Sequence, residues 1–367
     1  MIVRATFESS PGGDTTQVLM TAKYLRKLGV AVDIKKVNEQ FDAKGYDILH
    51  FFNIIRPDDI LPYLSDHVKS VVSTVYVDYS EYERINRSGL LGFVFNFFSP
   101  CQIEYIKALG RYVKNGEKIK SKFYFFRGHK ASIRKVIRST RMLLPNSHSE
   151  YNRLYRDFGE SASYRKVVNA IDLALFREDI EPDPTYQGHV ICVGRIEGRK
   201  NQLNLIRALR DTGIPLTIIG KCSPNHYSYY QACKKAAQGV SKIQFVEHIA
   251  HEDLVSIYKA AKVHVLPSWF ETTGLSSLEA GVMDCNVVVT RKGDTEEYFK
   301  DMAYYCEPDN IESIRKCIIE AFNSPVNPAL RQHIISCYTW QRAAMQTADA
   351  YREVIGWEAA NKLANKD

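Results

Sequence analysis

"KVHVLPSWFETTGLSSLEAG" (residues 262–281) begins as a β-branched, almost continuously apolar run, the pattern of a strand buried on both faces of a parallel sheet. It is followed by Leu275, Leu278 and Val282 at spacings of three and four, the stripe of a helix. Between the two lies a Thr-Thr-Gly turn with Glu271 before it and Glu279 after it. A strand running through a short turn into a helix leaves the first helical N–H groups, here at Gly274 and Leu275, unpaired and aimed outward, which suits an anion such as a phosphate.

The same alternation of strand and helix signals extends in both directions, in two series. The first comprises "MIVRATF" (strand), "SSPGGD" (turn), "TTQVLMTAKYLRKLG" (helix, closed by Gly29), then strands at "VAVDIKKV", "YDILHFF", "SVVSTVYV" (70–77), "RMLLPNS" (141–147) and "RKVVNAID" (165–172). The second runs from "HVICVGR" (189–195) through "NQLNLIRALRDTG", "PLTIIG", a helix near 227–238, "KIQFVEHI", "HEDLVSIYKAAK" and the quoted stretch to "NVVVT" (286–290). Alternation of this kind predicts α/β architecture with doubly wound sheets, whose ligands bind beyond the carboxyl ends of the strands. The expected division is a first domain over 1–176, a polar, proline-bearing linker over 177–188, a second domain over 189–340, and an amphipathic helix over 341–367 that crosses back to the first domain.

The 367 residues suit two such domains. Eight scattered cysteines show no C-x-x-C pair and no zinc spacing, so they read as free thiols, mostly buried, of a cytosolic protein. No signal-peptide core and no membrane-spanning run is evident, and the expected location is the cytoplasm. The net charge of +7 is unevenly spread: 27 Lys and Arg face 17 Asp and Glu up to residue 170, against 22 and 25 beyond it. Residues 107–141 alone hold twelve basic side chains and one acid, Glu117. A solvated helical face explains such a run. With "LLGFVFNFFSP" (90–100) and "FYFF" (123–126) beside it, so does a surface resting on anionic lipid at the inner face of a membrane. Nucleic acid would feel the same charge, yet no nucleic-acid motif accompanies it, so it is the least favoured partner.

A second chemical cluster lies in "VGRIEGRKNQLNLIRAL" (193–209), where Arg195 follows a buried strand and its Gly194, and Lys200 precedes the next helix. Two cations at the mouth of the sheet offer a diphosphate a fork of donors and a point charge. A charge-assisted hydrogen bond contributes about 1.5–3 kcal/mol. Glu279, one helical turn past the anion-seeking start, can accept two hydrogen bonds side by side and so suits a vicinal diol such as that of ribose. Glu271 would face whatever the phosphates carry.

On "RIEGRKN", the E-x7-E pair Glu271 and Glu279, and "GLSSLEAG", the second half resembles the donor domain of retaining GT-B glycosyltransferases, in particular glycosyltransferase family four. "SSPGGDTTQVLMTAKYLRKLGVAVDI", "LLPNSHSEYNRLYRDFG", "VVNAIDLALF", "SIYKAAKVHVLPS" and "TWQRAAMQTADAYREVI" resemble other landmarks of that family, so the likeness spans nearly the whole chain. It implies two doubly wound, Rossmann-like domains facing across a cleft. It implies transfer of a sugar from a nucleotide sugar to a hydroxyl with the anomeric configuration kept and no metal or other cofactor, in keeping with the lack of an Asp-x-Asp pair. By the same resemblance Arg195 and Lys200 neutralise the diphosphate near Gly194, Gly274 and Leu275 hold it through backbone N–H groups, Glu279 takes the ribose and Glu271 the donor sugar. Gly12 and Gly13 let the first loop approach the phosphates, and the base is held near the strand end carrying His248 and Ile249.

The sequence also departs from the pattern. Many relatives end the strand corresponding to "STVYVD" (73–78) in a histidine near the reacting sugar; here Tyr76, Val77 and Asp78 stand there, making Tyr76 and Asp78 the candidates for that role. The phosphate turn reads Glu-Thr-Thr-Gly, so Thr272 and Thr273 bring hydroxyls. The expected acceptor is a lipid-linked or cell-surface glycan in bacteria. The alternatives are a small soluble acceptor, or a non-catalytic protein on the same fold that binds nucleotide sugar or nucleic acid.

Overall fold

The computed structural model describes residues 1–8, 12–65, 67–79, 81–83, 99–115 and 119–356. Residues 9–11 of the first glycine-bearing loop, most of the aromatic stretch 90–100, Glu117 and Lys118 of the basic run, and 357–367 of the tail lie outside these. Contacts divide the chain into two compact units, Met1–Asn169 together with the residues from Trp340 onward, and Ala170–Thr339.

The first unit carries a parallel sheet of β1 (Ile2–Val3), β2 (Lys35–Lys36), β3 (Leu49–Phe52), β4 (Ser70–Ser73) and β5 (Met142–Leu144) in the order β2-β1-β3-β4-β5. That is the flavodoxin-like order, whose switch point lies between β1 and β3. Helix α1 (Gly13–Lys27) follows β1 and ends where Gly29 takes φ 83°, a left-handed stop open to glycine. A short α2 (Pro57–Ile60), then α3 (Pro100–Asn115), α4 (Lys122–Ser139) and α5 (His148–Phe158) complete the series, and α13 (Trp340–Ile355) joins this unit from the far end of the chain.

The core here is Leu49, Phe51, Val72 and Leu143 of the sheet against Ile133, Val136 and Ile137 of α4 and Leu154 and Phe158 of α5. Burial of each such side chain stabilises by roughly 1.5–3 kcal/mol. Helix α13 is fastened by a buried polar chain in which His50 lies 2.7 Å from the Tyr351 hydroxyl and 2.9 Å from that of Ser73. The basic run becomes α3 and α4. The buried side of α4 presents Tyr124, His129, Ile133, Val136 and Ile137, while Phe125, Phe126, Arg127, Lys130, Lys135 and Arg138 are exposed.

Two expected strands are corrected. "VAVDIKKV" pairs only over Lys35–Lys36, and "RKVVNAID" forms no regular strand: Arg165 N–H donates to the Leu143 carbonyl of β5 and Val167 N–H to that of Pro145, while Ile171 bridges to Thr339. Of the first segment only Val37 is buried, whereas 167–171 of the second are all buried, and an apolar pattern alone does not separate packing from pairing.

The second unit is a six-stranded parallel sheet of β6 (Val190–Val193), β7 (Leu216–Ile219), β8 (Ile243–Val246), β9 (Val263–Leu266), β10 (Asn286–Thr290) and β11 (Tyr304–Cys306). Helices α6 (Gln202–Leu209), α7 (Tyr227–Ala237), α8 (Leu254–Ala260), α9 (Leu275–Val282) and α10 (Thr295–Phe299) connect them, with α11 (Ile311–Asn323) and α12 (Pro328–Cys337) behind. From one edge the order is β8-β7-β6-β9-β10-β11, the dinucleotide-fold order in which the first and fourth strands lie side by side at the switch point. Every residue of β6, β7, β9 and β10 is buried, which is why these strands read as unbroken apolar runs.

The stretch expected as a linker, 177–188, is held to this unit: Asp183 N–H donates to the Ser256 carbonyl and Gly188 N–H to that of Ala260. All eight cysteines are free thiols, four of them buried. No helix among the described residues is long and apolar enough to cross a membrane.

Candidate active site at the switch point of the second sheet

Because β6 and β9 are neighbours, the loops leaving their carboxyl ends meet. Lys200, after β6, places its Nζ 2.5 Å from Oε1 of Glu271, after β9, and both side chains are largely buried. Arg195 is exposed at the same loop, and its guanidinium forms no hydrogen bond with a described residue. The loop between the two cations is built around Glu197, a buried carboxylate that accepts from Arg199 at 2.5 Å and from the Ser223 hydroxyl at 3.1 Å. Burial alone would raise its pKa, but Arg199, Arg195 and Lys200 outweigh that and hold it below the ordinary carboxylate range. Behind Lys200, the buried His264 of β9 has no partner for either ring nitrogen among the described residues. Burial and then the Lys200 charge lower its pKa to about 3, so it stays neutral beside the cation.

The backbone of Glu271 is clamped from the loop that follows β10. Its N–H donates to the Lys292 carbonyl and its carbonyl accepts from Asp294 N–H. Gly293, at φ 100°, lies so close that a Cβ there would come within 2.1 Å of the Glu271 carbonyl oxygen. Only glycine fits that approach. Beyond it Gly274 turns left-handed at φ 72° and starts α9 with no side chain capping it, so the N–H groups at Leu275 and just after face outward. Thr273 is buried in the turn.

One helical turn on, Glu279 is already held at both oxygens. His251 Nε2 donates to Oε1 at 2.8 Å and the Tyr258 hydroxyl to Oε2 at 3.1 Å. Glu279 raises the His251 pKa through that hydrogen bond. A carboxylate has about four acceptor sites, so two remain for a diol, one on each oxygen. Neither His251 nor Tyr258 was singled out by sequence reasoning. His251 stands in the turn before α8 and Tyr258 within the helix, so no helical spacing marked the pair. His248 is exposed and Ile249 half-buried in the coil leaving β8, two strands away from β6.

In the first unit, Gly12 caps α1 in extended conformation (φ −155°) and Gly13 has open space where a Cβ would stand. Neither requires glycine for its backbone. Next to β4, Val75 sits at φ 45°, a left-handed conformation that costs a β-branched residue about 1–3 kcal/mol. Beyond it a cavity of about 370 Å³ is lined by Ile55, Tyr76, Asp78, Tyr79, Glu104 and His129, among others. Asp78 lies 3.9 Å from Arg156. The Tyr76 hydroxyl is committed to Asp157 at 2.8 Å, and burial followed by that bond raises its pKa, so Tyr76 serves as a fixed wall. His129 is buried 3.2 Å from the Tyr124 hydroxyl.

Across 94% of both chains the structure is similar to sucrose-phosphate synthase from Thermosynechococcus elongatus, with a TM-score of 0.72 at 15% identity. The fold is GT-B. Within this GT-B chain, residues 178–336 match the family model of glycosyl transferases group 1. The chain is 27% identical over 229 residues to a glycogen synthase of Mycobacterium tuberculosis, covering 59% of this chain and 55% of that one. It is 26% identical over 179 residues to the O-antigen chain mannosyltransferase B of Escherichia coli, covering 46% of each. The chain thus spans about half the length of the curated relatives it matches.

Proposed function

We propose that this protein is a retaining glycosyltransferase that moves a sugar from a nucleotide-diphosphate sugar to a hydroxyl. The observation that carries the proposal is the ion pair of Lys200 with Glu271 at the switch point, beside Arg195 and the uncapped start of α9. A donor diphosphate would draw Lys200 toward itself and receive Arg195 and the helix N–H groups. That exchange leaves Glu271 to accept from hydroxyls of the sugar, while Glu279 takes the ribose. The two cations do the work a metal would otherwise do on the leaving diphosphate, so the reaction is proposed as metal-independent. Retention is proposed on the resemblance of "RIEGRKN" and the E-x7-E pair to retaining enzymes.

The acceptor belongs to the first unit, in the cavity beside Asp78. Its proposed class is a lipid-linked or cell-surface glycan, because α4, which bends at Gly128 (φ 74°), exposes Phe125, Phe126 and Arg127 before the bend and Lys130, Lys135 and Arg138 after it. Such a combination suits an anionic membrane surface, at about 1 kcal/mol per basic residue.

Titration without metal with UDP, GDP, ADP and their sugar conjugates tests the donor site. One nucleotide diphosphate should bind in the micromolar range, and its sugar conjugate should be slowly hydrolysed when no acceptor is present. Binding of none of them would sink the reading.

A further inference from the structure

The left-handed Val75 has no local reason to exist: it is neither glycine nor asparagine, and β-branching makes φ 45° costly. Strained residues persist where the surroundings over-determine them, and they gather at functional sites. Here the surroundings are one face of α5. Glu150, fully buried, accepts through Oε1 from the Thr74 hydroxyl at 2.5 Å and from Tyr76 N–H at 2.6 Å, the two residues flanking Val75. Its Oε2 accepts from Asn146 N–H at 2.7 Å. One turn on, Arg153 donates to the Tyr76 carbonyl at 2.9 Å, and one turn further Asp157 accepts the Tyr76 hydroxyl at 2.8 Å. Positions 150, 153 and 157 are spaced three and four, a single helical face.

"SHSE" (147–150) has the form of a helix capping box, and Ser147 does cap the Glu150 N–H at 2.9 Å. A cap alone would not need a buried carboxylate that reaches across to another strand, since burying that charge is costly unless its donors are fixed. The next residues after the gripped segment, Val77, Asp78 and Tyr79, line the cavity.

We infer that Glu150 is a positioning residue: it holds the strained Val75 turn and thereby sets the wall of the acceptor cavity around Asp78. What the cavity takes rests on the glycosyl-transfer reading; the grip on the turn does not. Rigid support of this kind is what keeps a site within the tolerance that chemistry demands.

The test is Glu150→Gln, which keeps the shape but turns an amide NH2 toward a backbone N–H donor. Backbone hydrogen exchange over 74–79 should rise about tenfold, and the acceptor KM should rise or kcat fall about tenfold, with nucleotide-diphosphate affinity within twofold of wild type. In that background Val75→Gly, which meets a left-handed φ without strain, should recover protection of the turn and at least threefold of the lost transfer. A carboxylate needed only as a helix cap would not be rescued there. Where Glu150→Gln does not accumulate as folded protein, Thr74→Val removes one donor to the carboxylate and should show the same pattern at about threefold. Unchanged exchange in these variants overturns the inference whatever the transfer rate, and raised exchange with unaltered transfer overturns the link to the cavity. A wild-type protein that bound no nucleotide diphosphate would instead remove the glycosyl-transfer reading, leaving the exchange result to decide the grip on the turn.

Discussion

The turns that leave β9 and β4 both set a carboxylate at the carboxyl end of a central parallel strand, yet they reach that end by opposite means. After β9, unusual backbone falls on glycines, Gly274 at φ 72° in the turn itself and Gly293 at φ 100° in the facing loop after β10, and Glu271 is fixed by main-chain bonds to that loop. After β4, the unusual backbone falls on Val75, and three side chains of α5 hold its neighbours. Glycine carries no Cβ penalty, so the first turn is a stable frame for the Glu271 side chain and its partner Lys200. The second turn stays in shape only while its helix grips it.

The sharpest way to break the comparison is at Glu271. Glu271→Ala should lower transfer by a thousandfold or more, while nucleotide-diphosphate affinity stays within about threefold, because Lys200 loses only its resting partner. Turnover near wild type would show that the turn after β9 is not where chemistry occurs. Arg195→Ala and Lys200→Ala should each weaken nucleotide-diphosphate binding ten- to a hundredfold by calorimetric titration, corresponding to about 1.5–3 kcal/mol for a charge-assisted bond.

Gly293→Ala tests whether the frame depends on glycine. Its Cβ would run into the Glu271 carbonyl at 2.1 Å, so the variant should lose about 2–3 kcal/mol in a denaturant titration and lose transfer with it. A fully stable variant would mean that the clamp on Glu271 yields easily.

The smallest effect is expected at His251. Its pKa is raised by Glu279 above the ordinary 6.5, so the pair's contribution to stability is fully present below about pH 6.5 and is lost as pH rises through the folded-state value. The side chain is half exposed, which screens the pair. The Tm difference between wild type and His251→Ala should therefore be small and should narrow from pH 5.5 to pH 8.5. A gap that widened with pH would assign His251 a different partner.

Much of the second unit was legible in the sequence because its signals are local: apolar runs for buried strands, a cation one residue past a strand, a glycine where a helix starts. β11 escaped because "YYC" is three residues long and only one of them is fully buried. In the first unit the two-residue β2 and the stretch 165–172, which bonds to neighbouring backbone only at isolated points, were read as full strands, since an apolar run does not show how far its pairing extends. Nothing in the sequence reading singled out Glu150 or Val75, although "SHSE" (147–150) has the form of a helix capping box.

Taken alone, the amino-acid order determined two series of parallel strands and helices, the basic character of the first half, and the candidate charges Arg195, Lys200, Glu271 and Glu279. The tertiary structure decided which strands lie side by side. Only the β6–β9 pairing brings Lys200 to Glu271 across 71 positions of sequence, and only the packing of α5 against β4 brings Glu150 to Thr74 across 76. Strand pairing and helix packing are non-local, set by which arrangement buries the most apolar surface with every backbone group bonded. No local stretch of sequence carries that choice.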